Sequence, residues 1–402
     1  MLVVKKFGGT SVANKERILN VAHRIEAAYK NGDDVVVVLS AMGKMTDVLI
    51  DQAKDINPNP SKRELDMLLV TGEQTSVALM SMALSFLGIP AVSLNAFQVA
   101  MHTTSNYGNA RLKRIDSERI RHELDQRKVV VITGFQGVNK YDDFTTLGRG
   151  GSDTTAVALA AALHADACEI YTDVDGVYTA DPRFVKNARK MKEITYDEML
   201  ELASLGAGVL HNRSVEMAKK YNVQLVVRSS LNNEEGTVVK ERVKVERMLV
   251  SGVAADKNVT RVSVIGLHNT PGVAFRLFDM LAKANINVDM ILQSTGRDDK
   301  KDISFTITED ATADVMKLLE DNAGRLDYEK LDYNDHVSKV SVVGAGMRSN
   351  PGVAAKMFEC MYNSNININM ISTSEIRVTV LIDEKDTEKA LNAAHDAFGL
   401  EE

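Results

Sequence analysis

The sequence is poor in cysteine, with only Cys168 and Cys360 among its 402 residues. Two thiols this far apart in the chain form no disulfide framework and do not have the spacing of a metal site. We therefore expect two buried or partly buried free thiols and a protein of a reducing compartment.

Long hydrophobic runs and an excess of positive charge are also missing. The N-terminal residues 1–7 contain no apolar run of signal-peptide length, and the alanine-rich stretch 156–163 is too short to cross a bilayer. The formal net charge of −7 disfavours a general nucleic-acid binder. These absences predict a cytoplasmic protein that binds neither nucleic acid nor membrane.

Two common nucleotide-binding motifs are absent as well. No G-x-x-x-x-G-K-[ST] loop occurs, and the strand–helix junctions carry no G-x-G-x-x-G fingerprint. If the chain binds a nucleotide, it does so in another way. Its length and its 45% apolar residues are sufficient for two or three domains.

Alternating strand and helix patterns occupy the first 240 or so residues. Short β-branched runs of this kind predict strands buried on both faces of a mostly parallel sheet, with helices on both sides. The predicted strands are 2–6, 35–39, 91–94, 129–133, 169–172 and 223–227, and the predicted helices include 14–30, 62–87 and 152–163.

The C-terminal part repeats itself. Residues 262–266, 271–274 and 285–288 recur as 340–344, 351–354 and 365–368. The repeats predict a duplicated βαβ-type module, with a first strand, a helix starting at Pro-Gly, a second strand at Asn-Ile-Asn and third strands at 303–308 and 377–382. The predicted domains are 1–240, a charged linker or strand at 241–260, and modules at 261–335 and 336–402.

Two glycine turns each join a predicted strand to a predicted helix. Residues 6–11 read Lys-Phe-Gly-Gly-Thr-Ser, and residues 147–153 read Leu-Gly-Arg-Gly-Gly-Ser-Asp. Backbone amides at such turns can approach a phosphate closely, and the following helix presents its positive end. Plain structural turns, with Ser152 or Asp153 as a helix N-cap, are the alternative. That alternative leaves Arg149 unexplained, because an Arg fork between glycines suits bidentate carboxylate binding.

A third loop, Thr-Asp-Val-Asp-Gly-Val-Tyr-Thr-Ala-Asp-Pro-Arg at 172–183, follows the predicted strand 169–172. Ligands of open α/β sheets bind at the carboxyl ends of strands, although an ordinary turn would have a similar composition. Taken together, the three segments resemble the amino-acid kinase family, in its aspartate kinase branch. The resemblance extends over essentially the whole chain, and the paired C-terminal modules resemble ACT domains, which are βαββαβ units that bind amino acids at their mutual interface.

The resemblance implies an ATP-dependent enzyme that phosphorylates the side-chain carboxylate of L-aspartate, with Mg²⁺ held mainly through ATP. Lys6 would neutralise the transferring phosphoryl group and Asp153 would orient that lysine. Arg149 would grip a carboxylate of aspartate and Glu73 its ammonium. The other implied substrate residues are Ser40, Thr46, Gly150, Gly151 and Ser152, and the implied ATP residues are Lys6, Phe7, Gly8, Gly9, Thr172, Asp173, Tyr178, Asp181 and Arg183.

One position departs from the family pattern. Many relatives carry a lysine near the nucleotide where this chain has Gly208. Either Arg213 or Arg183 compensates for the missing cation, or this branch does without it.

Feedback control is implied by the two modules. Lysine, threonine or both are the expected effectors, with backbone amides after Pro-Gly holding the effector carboxylate and Asp289 its ammonium. The implied effector residues are Asn269, Ala274, Asn287, Val288, Asp289 and Gln293 in the first module and Val353, Ala354, Asn367, Ile368 and Ser374 in the second.

The modules also imply at least a homodimer. Some relatives begin a separate regulatory chain near the position of Met248, so an α₂β₂ assembly is a further hypothesis. No homoserine dehydrogenase domain is expected after the second module. Two alternatives stay open: another amino-acid kinase, such as one acting on glutamate, and a catalytically silent amino-acid sensor on a kinase fold.

Overall fold

The structure is a computed structural model that describes residues 1–205, 209–241, 249–294, 299–350 and 352–401. Gly208 and Met248, on which two of the expectations depend, lie outside the described residues. The chain forms two compact units. The first contains Met1–Val177, Lys190–Ser204 and the described residues of Gly208–Val245. The second contains Tyr178–Arg189, Leu205 and the described residues of Glu246–Glu402.

The six predicted strands all lie in the central sheet of the first unit. The strands of this unit are β1 (Leu2–Phe7), β2 (Asp34–Leu39), β3 (Ala91–Leu94), β4 (His102–Thr103), β5 (Leu112–Arg114), β6 (Val129–Thr133), β7 (Gln136–Val138), β8 (Phe144–Thr146), β9 (Ala167–Thr172), β10 (Glu193–Thr195), β11 (Leu225–Ser229) and β12 (Thr237–Lys240). Eight of them form the sheet β10-β12-β11-β9-β1-β2-β6-β3, in which only the β11–β12 pair is antiparallel. The other four form a small sheet, β5-β4-β7-β8.

Helices cover both faces of the central sheet. They are α1 (Lys15–Lys30), α2 (Met45–Ile56), α3 (Lys62–Phe86), α4 (Glu118–Asp125), α5 (Gly151–Leu163), α6 (Tyr196–Ser204) and α7 (Asn212–Tyr221). On one face, Val35 and Val37 pack with residues of α1 and α3. Val36 and Val38, which alternate with them, are fully buried on the other face, where α5 contacts β1, β2 and β9. The strands are therefore buried on both sides.

Helix α3 is long and apolar enough to cross a membrane by length and composition, and 44% of its most apolar 18-residue window is buried. Its buried face carries Asp66 and Glu73 and packs against β3, β6 and β8. Asp66 accepts hydrogen bonds from the amides of Gly108 and Thr146, so this face of α3 is buried against protein.

The second unit contains two antiparallel sheets with helices. Its strands are β13 (Gly252–Asp256), β14 (Thr260–His268), β15 (Ile291–Gln293), β16 (Lys300–Ile307), β17 (Lys330–Asn334), β18 (Val337–Val343), β19 (Met370–Thr373) and β20 (Arg377–Asp383). Its helices are α8 (Val273–Lys283), α9 (Thr312–Asp321), α10 (Ala323–Leu326), α11 (Val353–Asn363) and α12 (Thr387–Ala397). The sheets have the orders β15-β16-β14-β17 and β13-β18-β20-β19.

Strand β13 crosses between the two modules. It precedes the first module in the chain but pairs antiparallel with β18 at the edge of the second sheet. The second module is therefore completed by a strand from the segment 241–260.

The second strand of each module does not lie at Asn-Ile-Asn, and that prediction was wrong. Asn285 and Asn365 have φ of +60° and +51°, and each ends a helix. The amide of Ile286 donates to Leu281 O at 3.0 Å, and that of Ile366 to Met361 O at 3.0 Å. These are the hydrogen bonds of a Schellman C-cap, in which Asn is a common substitute for glycine. Strands β15 and β19 begin several residues later.

The segment Tyr178–Arg189 packs into the second unit. Ala180 and Val185 lie in the same hydrophobic cluster as Val253 of β13 and Leu391 of α12. The amide of Val253 donates to Thr179 O at 2.7 Å. Part of the loop 172–183 thus belongs to the core of the C-terminal half.

Candidate active site

The predicted site residues of the first unit gather at one edge of the central sheet. Strands β9, β1, β2 and β6 are consecutive neighbours and parallel, so their carboxyl ends meet there. Gly8 and Gly9 follow β1, Ser40 follows β2 and Gly134 follows β6, and Thr172 is the last residue of β9. Ligands of open α/β sheets bind at such an edge.

Lys6 and Asp153 are in contact at this edge. Lys6 Nζ lies 2.6 Å from Asp153 Oδ1, and each side chain is 12% exposed. Strand alternation sends the preceding residue, Lys5, to the opposite face, where it pairs with Glu169. The ammonium group of Lys6, which is partly shielded from water, therefore lies beside the glycine turn.

The two glycines of the first turn have different surroundings. A Cβ on Gly9 would lie 2.7 Å from Ala41 O and 3.1 Å from Gly43 O, so the turn packs directly against the loop after β2. A Cβ on Gly8 would meet Lys6 Nζ at 3.6 Å, an ordinary contact, and Gly8 has φ of −70°. Gly9 is required by packing, whereas Gly8 leaves space beside the lysine.

The N-terminus of α5 has no side-chain cap. The helix begins at Gly151 after Gly150, whose φ is +65°, and neither Ser152 nor Asp153 caps it, so that alternative prediction was wrong. The amides of Ser152 and Asp153 donate no hydrogen bond within the part of the chain that the structure describes. Free amides and the helix dipole make this end suited to an anion.

Ser152 also joins α5 to the loop after β2. Its Oγ accepts a hydrogen bond from Ser40 Oγ at 2.9 Å. A Cβ on Gly134 would lie 2.5 Å from Ser152 Oγ, so this glycine lets the helix end approach the sheet. Gly134 was missed in the sequence, although a glycine directly after the strand 129–133 is a usable signal.

Glu73 is the most strongly perturbed acid of the site. It is 3% exposed, and Ala41 N donates to its Oε1 at 3.2 Å. Burial raises the pKa of Glu73 to about 7. Its Oε2 is buried without a hydrogen-bond partner among the described residues. A cationic group is the partner that such a carboxyl lacks.

Arg149 is exposed and makes no ion pair or hydrogen bond within the described chain. Thr46 is the second residue of α2 and half-buried. Arg213 is not a free cation, because its guanidinium donates to Leu147 O at 2.6 Å and to Ala110 O at 3.1 Å.

The predicted nucleotide residues fall into two groups. Thr172 and Asp173 belong to the first unit, and Thr172 Oγ1 donates to Asp173 Oδ1 at 2.9 Å. Tyr178, Asp181 and Arg183 belong to the second unit, where Asp181 and Arg183 form an ion pair at 2.6 Å.

The side chain of Phe7 does not face a ligand. It is fully buried and stacks on Tyr171 with 4.5 Å between ring centroids. Only its backbone can contribute to nucleotide binding.

No group of three or more His, Cys, Asp or Glu side chains that could hold a metal ion occurs among the described residues. Asp153 is already paired with Lys6. This donor set fits a cation carried by a nucleotide better than one held in a protein cage. Both cysteines are buried free thiols, as predicted.

The effector positions lie mostly at the surface of the two modules. Helices α8 and α11 start after Gly272 and Gly352, which have positive φ and provide no side-chain cap. Asn269, Asn287, Gln293, Asn367 and Ser374 are exposed, Val353 is buried, and Ala274, Val288, Ala354 and Ile368 are half-buried.

Asp289 is already engaged. Its Oδ2 lies 2.7 Å from Nζ of Lys339, a buried lysine of β18 that also pairs with Asp256 at 3.2 Å. An effector ammonium would share Asp289 with Lys339.

Comparison with known proteins agrees with the fold. Residues 1–229 match the amino acid kinase family, and residues 262–322 and 340–398 match the ACT domain. These matches define an amino acid kinase that carries two ACT domains.

The chain is 52% identical over 400 residues to an aspartokinase of Bacillus sp. (strain MGA3). The alignment covers 99% of this chain and 97% of the relative. The crystal structure of E. coli aspartokinase III in complex with aspartate and ADP (R-state) is 26% identical, with a TM-score of 0.84 over 99% of this chain and 100% of that one. The same enzyme in complex with lysine and aspartate (T-state) is also similar at 26% identity, with a TM-score of 0.79 over 99% of each chain. The chain belongs to the aspartokinase family. It is thus a phosphotransferase with a carboxyl group as acceptor.

Proposed function

We propose that the enzyme transfers the terminal phosphoryl group of ATP to the side-chain carboxylate of L-aspartate, as the first step toward lysine, threonine and methionine. The observation that carries this proposal is the Lys6–Asp153 pair beside the uncapped N-terminus of α5. E. coli aspartokinase III, a structural relative, has been crystallised with aspartate and ADP.

Catalysis in this proposal is electrostatic. Lys6 offsets the negative charge of the phosphoryl group in transfer, and the free amides of α5 add partial positive charge. Asp153 fixes the position of the Lys6 ammonium. The acceptor carboxylate is ionised at neutral pH and needs no general base.

Two residues orient the aspartate. The exposed guanidinium of Arg149 binds a carboxylate in bidentate fashion, and the partnerless oxygen of Glu73 accepts the ammonium group. Mg²⁺ would be held mainly through ATP rather than by a protein cage, and it would supply charge neutralisation. The pairing of Asp153 with Lys6 supports a metal carried by the nucleotide.

We further propose feedback inhibition by lysine, threonine or both at the ACT modules. Uncapped helix starts after Gly272 and Gly352 suit an effector carboxylate. E. coli aspartokinase III has been crystallised with lysine. The effector would act by binding one of two states of the enzyme more tightly.

A cytoplasmic location and assembly through the ACT modules complete the proposal. Two buried free thiols are compatible with a reducing compartment. The assembly is a homodimer or larger, and a shorter chain starting near residue 248 is the variant that a denaturing gel of the native-host protein would detect.

Hydroxylamine trapping tests the reaction. The product acyl phosphate reacts to a hydroxamate, so we expect ATP- and aspartate-dependent hydroxamate formation, with little formation from glutamate. Lys6→Ala should lose turnover, whereas Lys62→Ala, an exposed lysine at the start of α3, should not.

Three outcomes decide between the alternatives. Equal hydroxamate formation from glutamate would indicate another amino-acid kinase. Effector binding without any turnover would indicate a silent sensor. Unchanged turnover in Lys6→Ala would overturn the mechanism. Titration of the same assay with lysine, threonine and both together identifies the effector.

A further inference from the structure

The glycine turn that carries Arg149 needs external support. Gly148 and Gly150 both have positive φ, at +77° and +65°. Glycine-rich backbone is conformationally free, so the turn by itself does not fix the direction of Arg149 or of the first amides of α5.

His211 packs directly on this turn. A Cβ on Gly150 would lie 2.2 Å from His211 Cγ and 2.5 Å from its Cδ2, so the imidazole occupies the space above the Gly150 Cα. The other side of the ring is fixed too, because Nδ1 accepts a hydrogen bond from Arg213 N at 3.3 Å and caps α7. Burial lowers the pKa of His211, which keeps Nδ1 available as an acceptor.

Arg213 holds the residue at which the turn begins. Its guanidinium donates to Leu147 O at 2.6 Å, to Asn109 Oδ1 at 3.2 Å and to Ala110 O at 3.1 Å. The strand end before the turn is thereby tied to the loop at 109–110. One planar group with several donors can satisfy three acceptors at once.

We propose that His211 and Arg213, called here the α7 clamp, are positioning residues for aspartate binding. The clamp holds residues 147–151 at two points, Leu147 O and the Gly150 Cα, so that Arg149 and the amides of α5 face the bound substrate. This inference rests on the proposed function, since it concerns the orientation of the proposed aspartate site. The charged groups that act on His211 are Asp153 from α5 and Arg213 and Glu216 from α7.

Four substitutions distinguish a role in positioning residues 147–151 from a general contribution to the stability of the fold. His211→Ala removes both the ring and the cap. His211→Phe keeps a ring over Gly150 but has no acceptor, whereas His211→Asn keeps an acceptor but has no ring. Arg213→Met leaves its three acceptors without their donor. Ser61→Ala, which removes the side-chain cap of α3, is the matched control.

Purified variants are assayed by hydroxamate formation, with KM for aspartate, KM for ATP, kcat and the thermal midpoint measured for each. We expect His211→Ala and Arg213→Met to raise KM for aspartate about tenfold or more, since small misplacements of binding groups are costly. KM for ATP should change much less. His211→Phe should recover most of the aspartate affinity that His211→Ala loses, and His211→Asn should recover little. Ser61→Ala should lower only the thermal midpoint.

Three results would count against the clamp. In the first, His211→Asn restores aspartate affinity and His211→Phe does not, so that capping of α7 is the whole role. In the second, KM for aspartate stays within about twofold of wild type in every variant. In the third, both KM values change together with the thermal midpoint. A wild-type enzyme that forms no hydroxamate from aspartate would overturn the proposed function instead, and it is recognised before any variant is made.

Discussion

Lys5 and Lys6 are adjacent in β1 and have different environments. Lys5 lies across from Glu169 on one face of the sheet, and Lys6 meets Asp153 on the other. Strand alternation predicts that the two lysines point apart, but it does not say which faces a ligand. The resemblance to aspartate kinases selected Lys6, and in the structure Lys6 pairs with Asp153 beside Gly8.

The two glycines of the first turn should respond differently to alanine. Gly9→Ala places a Cβ 2.7 Å from Ala41 O, so we expect a loss of about 1–3 kcal/mol of stability through overpacking. Gly8→Ala has room and an ordinary φ, so the fold should persist while turnover falls, because the methyl group occupies the space beside Lys6. Urea unfolding and the hydroxamate assay measure the two effects. Equal stability loss in both variants would contradict the distinction.

Glu73 should make the enzyme less stable as the pH rises from about 5 to 7. Below its unfolded pKa of 4.5 the carboxyl is neutral in both states. Between 4.5 and about 7 the unfolded state ionises while the buried carboxyl does not, so stability falls and then levels off, by about 3 kcal/mol in total.

Glu73→Gln should therefore be more stable than wild type at pH 8, with the difference vanishing near pH 4.5. The same variant should bind aspartate at least about tenfold more weakly, because it offers no charge to the ammonium. Urea unfolding of wild type and of Glu73→Gln across this pH range measures the first effect. KM for aspartate measures the second. A stability difference independent of pH would show that Glu73 is ionised throughout.

At the scale of elements, the hydrophobic pattern predicted six of the eight strands of the central sheet, because central strands such as β2 and β6 are short, β-branched and buried on both faces. The helix ends were harder to predict. Ser152 is a residue type that often caps helices. In the structure, however, Gly150 occupies the N-cap position of α5 with positive φ, and no side chain caps the helix. Asn-Ile-Asn has the apolar alternation of a strand, but the αL preference of Asn285 and Asn365 prevails and ends a helix.

The two repeated asparagines provide a test of that explanation. Asn285→Gly and Asn365→Gly should fold normally, whereas Val at either position should cost about 1–2 kcal/mol, because β-branched residues are strained at positive φ. Unfolding by urea measures the cost. Effector inhibition should survive the glycine variants, because the predicted effector residues are Asn287 and Asn367. Tolerance of valine at both sites would argue against the C-cap.

At the scale of the whole molecule, the loop 172–183 was predicted as one nucleotide-binding segment, but it is divided between the two units. No local pattern indicates this. The contacts that hold Ala180 and Val185 come from Val253 and Leu391, far away in the sequence. The contacts of the α7 clamp likewise depend on long-range packing, whereas the position of Gly134 directly after a predicted strand was a usable signal in the sequence.

Hydrogen exchange should show that residues 179–189 open together with the second unit. Leu391→Ala in α12 should destabilise that unit by about 2–5 kcal/mol and accelerate exchange of α12 and of Thr179–Arg189 amides alike. Leu84, a leucine of α3, is also buried, so Leu84→Ala is the matched control and should accelerate exchange in the first unit. Exchange of 179–189 that follows Leu84→Ala instead would contradict the assignment.

The segment Tyr178–Arg189 belongs to the second unit, and this limits how the molecule can be divided into fragments. A regulatory fragment beginning near residue 248 would retain β13 and so a complete second sheet. It would lack residues 178–189, and the apolar surface beneath Ala180 and Val185 would face water. Such a fragment would need a substitute cover, which makes its solubility dependent on a partner. The boundary between the two units is therefore not a single point in the chain.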